Sequence, residues 1–387
     1  MIIFRHIDIF LGYNALLYIP AKAINMKLVK PWTNKFIQNL KPKKARYTIQ
    51  QKNLIIRVQP SGSKSWYVSP SRGEVTKIGD YPEMSLDKAR KETALIMKKD
   101  NKKFRVAILG SGNIGTDLLV KIQRSPLLQC VAFVGRSYSS NGMNTAMDMG
   151  VTCSDKSIEY IENNSEDIDL VFDCTSAVDH KKHALIFNKC KIKAIDLTPA
   201  QVGIMAIPAL NKEECLGKSN INMITCGGQA SIPIAAAIGR SHKDVEYIEV
   251  VSSIASKSAG PATRRNLDEY IETTENGIKK FAGVKDAKAI LNLNPAFPCI
   301  NMQTTIFAKT NFLDIKALKK ELDPIVEDIK SYVPGYDIIS EPTYENGRAS
   351  IMIRVIGLGD YLPEYAGNLD IINCAAIAMA EEYARTL

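Results

Sequence analysis

Residues 104–109 form a short apolar run that opens directly into Gly110-Ser111-Gly112-Asn113-Ile114-Gly115, and residues 116–124 continue with helical spacing. A strand, a glycine-rich turn and a helix in that order leave few folds open, because a parallel strand has to return through a crossover that packs on the sheet. Further short apolar runs follow at residues 130–134, 168–172 and 192–197, with residues 177–190 helical between the last pair. The alternation predicts an α/β architecture with a doubly wound parallel sheet of the Rossmann type. In the turn, Gly110 permits the tight bend, Gly112 lets the backbone approach a pyrophosphate, and Gly115 allows close helix packing. The N-terminus of the helix then faces the phosphates.

A dinucleotide site of this kind usually places an acidic residue at the end of the second strand, about 20 residues on, to hold the adenosine ribose. Here that strand ends in Gly135-Arg136-Ser137, with no carboxylate. Arg136 either stacks on adenine, accepts a 2′-phosphate or is an ordinary surface arginine, so NAD is expected and NADP stays open.

Beyond this region Thr225-Cys226-Gly227-Gly228-Gln229-Ala230 sets a cysteine between a strand and the start of a helix. Unpaired backbone N–H groups and the helix dipole stabilise a thiolate there, and the glycines let an aldehyde and a nicotinamide come close. An unplaced cysteine is more often a small buried hydrophobe; this setting reverses the preference. The rest reads as α+β: an apolar helix at residues 230–238 with Pro233 in its first turn, alternating strands at 247–254 and 350–356, helices at 315–322 and 324–332 divided at a proline, and a final helix at 368–386. The chain contains no internal repeat and no low-complexity segment.

Charge divides the 387 residues unevenly. Through residue 103 there are 21 Lys and Arg against 7 Asp and Glu, which leaves 29 against 34 beyond it. Both tryptophans, Trp32 and Trp66, lie before residue 104 and all eight cysteines lie after it. Two unlike pieces joined in one chain are therefore expected, the first being strongly basic. The cysteines lack a CxxC pair, so the spacing predicts neither a zinc site nor a disulfide framework, and free thiols in a reducing cytoplasm explain them better. An apolar run at residues 7–19 is too short to span a bilayer and is interrupted by Asp8 and Asn14. Ala21-Lys22-Ala23 loosely imitates a signal-peptidase site, but cytosolic cofactors argue against export, and a start at Met26 would make residues 1–25 extraneous.

The basic piece continues from Lys41-Pro42-Lys43-Lys44 into strand-like runs at residues 54–58 and 65–68, joined by the turn chemistry of Pro60-Ser61-Gly62-Ser63. After Ile78-Gly79-Asp80-Tyr81-Pro82, Ser85 caps a helix running from Leu86 to about Lys98. These segments, with Ser85-Leu86-Asp87-Lys88-Ala89-Arg90, resemble the N-terminal arm-binding domain of phage-type tyrosine recombinases over roughly residues 33–99. The resemblance implies DNA contact through a basic face, with a solvated surface as the competing reading. Nothing downstream looks like a recombinase, which points to a fusion or a mis-joined frame.

Five separated segments carry a second resemblance: residues 110–116, 225–230, 256–263, Asn294-Pro295-Ala296 and 365–371. In that order they resemble the acetaldehyde dehydrogenase (acetylating) family, which works beside 4-hydroxy-2-oxovalerate aldolase in aromatic hydrocarbon catabolism. The resemblance covers about residues 103–387. It implies an NAD-binding domain at 103–225, a catalytic and dimerisation domain at 226–365, and a terminal helix at 366–387 returning to the NAD-binding domain, all preceded by the basic N-terminal module at 1–102.

The family's chemistry makes Cys226 the nucleophile, attacking acetaldehyde to give a thiohemiacetal, then an acyl-thioester, and passing the acyl group to CoA. Ser111, Gly112, Asn113 and Ile114 are implied in NAD binding, as are Ser258, Ala259, Gly260, Pro261, Ala262, Thr263, Arg264, Arg265, Asn266 and Asn368. Lys257, Arg264 and Arg265 are otherwise a charged surface patch. A homodimer, a cytoplasmic location and no metal or membrane complete the expectation. One departure stands out: the family usually has an aspartate shortly after Asn-Pro-Ala, where this chain reads Met302-Gln303-Thr304-Thr305 with Thr304 at the matching place. The group that activates Cys226 is thereby unassigned, and His180, His183 and His242 read as structural or surface histidines. Two competing readings are a semialdehyde dehydrogenase that uses phosphate in place of CoA, and a DNA-binding protein whose dehydrogenase part is inert.

Overall fold

A strand buried on both faces reads as a near-continuous apolar run, and four such runs build the centre of the larger part of this chain. The computed structural model describes residues 32–69, 75–100 and 103–386. The apolar run at 7–19, the tripeptide at 21–23 and Met26 lie outside the described residues. The chain forms two compact units, one through Asn101 and one from Lys102.

In the first unit, β1 (Tyr47–Gln51), β2 (Leu54–Val58), β3 (Lys64–Val68) and β4 (Thr76–Tyr81) form an antiparallel sheet in sequential order. The expected hairpin joins β2 to β3, closed by Gln59 N–H donating to the Ser63 carbonyl at 2.9 Å, with Gly62 at φ +91°. Ser85 caps helix Leu86–Asp100, its Oγ accepting from Lys88 N–H at 3.3 Å. Leu86 and Ala89 on that helix pack with Ile56, Trp66 and Trp32, and the Trp66 indole donates to the Met84 carbonyl at 2.8 Å. Both tryptophans thus build one small core.

The second unit starts from a seven-stranded parallel sheet of β5 (Phe104–Leu109), β6 (Leu128–Val134), β7 (Cys153–Ser154), β8 (Leu170–Asp173), β9 (Lys193–Asp196), β10 (Ile204–Met205) and β11 (Asn220–Asn222). Their order is β10-β11-β9-β8-β5-β6-β7. Strand order reverses at β5, so the crevice beyond the carboxyl ends of β5 and β8 is the place where such sheets bind ligands. The helix after β5 spans Asn113–Ile122, starting three residues before the expected Thr116 because Gly112 serves as its N-cap. A Cβ on Gly115 would lie 2.0 Å from the Gly110 carbonyl oxygen, and only glycine allows that approach.

A mixed sheet follows, of β12 (Tyr247–Ala255), β13 (Asp286–Asn294), β14 (Met302–Lys309), β15 (Tyr336–Glu345) and β16 (Arg348–Val355), in the order β13-β12-β14-β16-β15. Alternate residues of β12, β14 and β16 are buried; helix Cys226–Ser241 packs on these strands, while Leu267–Ala282 packs against β13 and Ile315–Tyr332 against β15.

Two helices differ from the sequence expectation. Helix Cys226–Ser241 begins at the cysteine, four residues before Ala230, so Pro233 sits in its interior. Helix Ile315–Tyr332 runs unbroken through Pro324. An interior proline costs about 3 kcal/mol or more, while each fully buried aliphatic side chain contributes roughly 1.5–3 kcal/mol. Leu318, Leu322, Ile325, Val326 and Ile329 form one buried stripe across Pro324, and every residue from Cys226 to Gly239 is buried. Packing outweighs the missing hydrogen bond in both.

The final helix, Gly367–Arg385, packs against helix Asn113–Ile122. A buried ion cluster joins them: Lys121 Nζ lies 2.9 Å from Asp117, 3.1 Å from Asp360 and 2.7 Å from Asp370. Arg124 bonds Asp360 from the surface side.

Candidate active site

The chain enters the site through a strained turn. Ile224 has φ +63°, a left-handed conformation that costs a β-branched residue roughly 1–3 kcal/mol. Its N–H donates to Asn222 Oδ1 at 2.9 Å, and Asn222 Nδ2 donates to Asp196 at 2.7 Å and to the Thr198 carbonyl at 2.8 Å. Asp196 lies 3.5 Å from His180 Nε2, and His180 and His183 both direct Nδ1 at one oxygen of Asp173, at 2.9 and 2.8 Å. A buried polar network at the carboxyl ends of β8, β9 and β11 therefore pins the turn that precedes the cysteine. Burial and repulsion from Asp173 push the Asp196 carboxyl up to about 6 against the attraction of His180. Burial raises Asp173 as well, but the hydrogen bonds from the two histidines outweigh it and hold that carboxyl at about 2.

Thr225 then caps the helix, its hydroxyl accepting from Gly228 N–H at 2.8 Å, and Cys226 is the first helical residue. The thiol is buried, with Sγ 3.8 Å from the Tyr270 hydroxyl. Burial pushes the Cys226 thiol up, opposed by hydrogen bonds from Tyr270 and the Gly227 backbone. The helix N-terminus foreseen from sequence as a thiolate stabiliser is thus present, but desolvation outweighs it in this state. The hydrogen bonds of the histidines go to other groups; His242 uses Nε2 to accept from Asp314 N–H at 2.9 Å.

Cys226 opens onto a cleft whose walls include Ile114, Cys174, Thr175, Thr198, Thr263, Asn266, Tyr270, Leu369 and Ile372. Ile114 comes from the glycine loop, Thr263 and Asn266 from the segment after β12, and Leu369 and Ile372 from the final helix. Gly110 is required by the fold, at φ +120° with a Cβ position 2.7 Å from the Cys174 carbonyl oxygen. Gly112 is not, since a Cβ there would meet no atom within 4 Å. Ser111 accepts from Ser140 Oγ at 2.9 Å, and Asn113 opens the helix behind it.

Asn368 is 1% exposed, and neither its amide nitrogen nor its amide oxygen has a partner among the described residues. Leaving such groups unsatisfied costs on the order of 1–3 kcal/mol each, so the side chain fits a ligand that offers both a donor and an acceptor. A carboxamide does so. The open approach at Gly112 and the orphaned amide of Asn368 together fit a nicotinamide dinucleotide.

The segment after β12 is more internally bonded than the sequence indicates. Ser258 is buried and donates to the Ala255 carbonyl at 2.8 Å. Arg264 clamps the turn, donating to the carbonyls of Ala259 at 3.1 Å and Ser256 at 3.0 Å. Gly260 lies between these anchors, and the side chains of Pro261 and Ala262 are outside the described residues. Arg265, Lys257 and Arg136 are exposed. Thr304 is fully buried, with its hydroxyl 2.9 Å from Ser252 Oγ. No sequence pattern marks Tyr270 or Thr198, which tertiary packing alone brings to the site. Among the described residues no cluster of His, Cys, Asp and Glu has metal-binding geometry, and no helix is long and apolar enough to cross a membrane.

Family models place these features in context. The prokaryotic acetaldehyde dehydrogenase dimerisation model matches residues 226–363, the semialdehyde dehydrogenase NAD-binding model residues 105–217, and an arm DNA-binding domain model residues 32–102. An acetaldehyde dehydrogenase of Spirochaeta aurantia is 63% identical over 284 residues, covering 73% of this chain and 96% of that protein. Its counterpart in Pectobacterium atrosepticum is 55% identical over 283 residues, with the same 73% and 96% coverage. A crystal structure of aspartate semialdehyde dehydrogenase with NADP from Candida albicans matches the fold at TM-score 0.52 and 10% identity, over 74% of this chain and all of that one. From the glycine loop to the terminal helix, this chain belongs to the acetaldehyde dehydrogenase family.

Proposed function

We propose that the second unit is a CoA-acylating acetaldehyde dehydrogenase, oxidising acetaldehyde to acetyl-CoA with NAD, with NADP open as an alternative. The carrying observation is that Cys226 opens a helix on the wall of one cleft, between Ile114 of the glycine loop and the residues flanking Asn368. Ser111, Gly112, Asn113, Ile114, Thr263, Asn266 and Asn368 would hold the nicotinamide cofactor, which accepts the hydride. Cys226 Sγ bonds to the aldehyde carbon and forms a thiohemiacetal; loss of hydride leaves a thioester on Sγ. The CoA thiolate then adds to that carbonyl, and Cys226 departs as a thiolate. The pinned Ile224 turn keeps Sγ in place through both halves.

The rival acceptor is phosphate. Acetaldehyde and NAD supplied with CoA are expected to give acetyl-CoA and NADH on the full chain; turnover with phosphate and none with CoA would overturn the reading. The dimerisation model over residues 226–363 supports a homodimer, and a cytoplasmic location and 4-hydroxy-2-oxovalerate aldolase as partner belong to the same proposal.

For the first unit we propose DNA contact, supported by the arm DNA-binding match and by exposed Lys41, Lys43, Lys44 and Arg46. Duplex DNA is expected to bind the full chain with an affinity that falls steeply with salt, because neutralised phosphates release counterions. Replacing Lys41, Lys43 and Lys44 with glutamate should remove most of that binding, and equal affinity in the variant would overturn it.

A further inference from the structure

Among the described residues, Cys226 Sγ hydrogen-bonds one side-chain hydroxyl, that of Tyr270, on helix Leu267–Ala282. The two atoms are 3.8 Å apart, a sulfur hydrogen-bond distance, and both side chains are buried. The contact is built in rather than incidental. A Cβ on Gly227 would lie 2.0 Å from the Tyr270 oxygen and 3.2 Å from Ser252 Oγ, so the glycine after the nucleophile makes room for these hydroxyls. Thr304 backs Ser252 at 2.9 Å. The groups gathered behind the thiol are neutral hydroxyls.

We propose that Tyr270 is a catalytic residue whose hydroxyl hydrogen-bonds Cys226 Sγ in both of its protonation states. It accepts the S–H of the resting thiol, and after that proton has passed to water in the cleft it reverses and donates O–H to the thiolate. No proton is transferred to the tyrosine: burial holds its own hydroxyl well above the ordinary range, so it serves as donor and not as base. The same bond steadies the thiolate again when Cys226 leaves the thioester. The proposal deepens the nucleophile assignment above and needs only that Cys226 be a reactive thiol, not that acetaldehyde be its substrate.

The test is the pH dependence of iodoacetamide alkylation at Cys226, read by peptide mass on the full chain so that the other seven cysteines do not interfere. For Tyr270→Phe the alkylation midpoint is expected to rise by about one pH unit, which is roughly a tenfold slower reaction near neutral pH. In the acetaldehyde assay kcat should fall while the KM for NAD stays near wild type. A profile superimposed on wild type would overturn the proposal. Site-specific 3-fluorotyrosine at position 270 keeps the ring and sharpens the donor, so the midpoint should fall. A midpoint that does not move there counts equally against it, even if Tyr270→Phe fails to fold. An activity assay without product but with the shifted alkylation profile would sink the substrate reading and leave Tyr270 standing.

Discussion

Replacing Cys226 with serine is expected to lower acetaldehyde turnover by on the order of 10⁴-fold or more, because an alcohol is both a poorer nucleophile and a poorer leaving group than a thiol. No acyl-enzyme should appear by intact-protein mass after incubation with acetaldehyde and NAD. NAD affinity should change little, since Gly112 and the orphaned amide of Asn368, proposed above to hold the cofactor, are untouched. Serine is close in size and Thr225 still caps the helix, so the fold should survive. Turnover equal to wild type would refute the assignment of Cys226.

The second large effect concerns stability. Lys121 is 6% exposed and faces Asp117, Asp360 and Asp370, all within 3.1 Å. Burial lowers its pKa, but the carboxylates of Asp117 and Asp370 outweigh that and hold it charged. Lys121→Met removes the cation at the centre of this cluster and leaves its three carboxylates, with Arg124 bonding Asp360 at the surface. Breaking a buried ion pair from one side costs about 3–5 kcal/mol, and a loss of that size is expected here as a lower urea midpoint. The lysine's raised pKa means its contribution is fully present below the unfolded value near 10.4 and declines only as pH rises through the still higher folded value, so the loss should be constant across neutral pH. Adding Asp370→Asn should recover part of it. An unchanged midpoint in the single variant would show that the cluster contributes nothing.

The same cluster joins the glycine-loop helix to the final helix that carries Asn368, so it also sets the spacing of the two elements proposed above to hold the cofactor. A destabilised variant should accordingly bind NAD more weakly than the serine variant does. Measuring both in one buffer separates loss of chemistry from loss of positioning.

Much of the architecture is legible in the sequence. Residues 104–115 specify a strand, a turn and a helix start locally, because glycine alone tolerates φ +120° at Gly110 and the close contact at Gly115. The hairpin at Gly62 and the Ser85 cap are likewise decided within a few residues. Cys226 stood out through its neighbours, and the helix start confirms its local setting. Pro233 and Pro324 lie inside helices against the local rule about missing N–H groups, because burial against helices distant in sequence outweighs it.

What the sequence by itself determined is therefore the local chemistry: the glycine loop, the order of strands and helices, the cysteine at a helix N-terminus, and the division into a basic and a dehydrogenase-like piece. Tertiary structure alone decided the rest. Tyr270 reaches Cys226 from 44 positions away, Lys121 meets Asp360 from 239, and Asn222 holds Asp196 from 26. Those separations leave no periodic mark, because a contact between distant residues depends on how whole elements pack. The raised thiol of Cys226 has the same origin: spacing announces a helix dipole, but only the packed molecule contains the desolvation that opposes it.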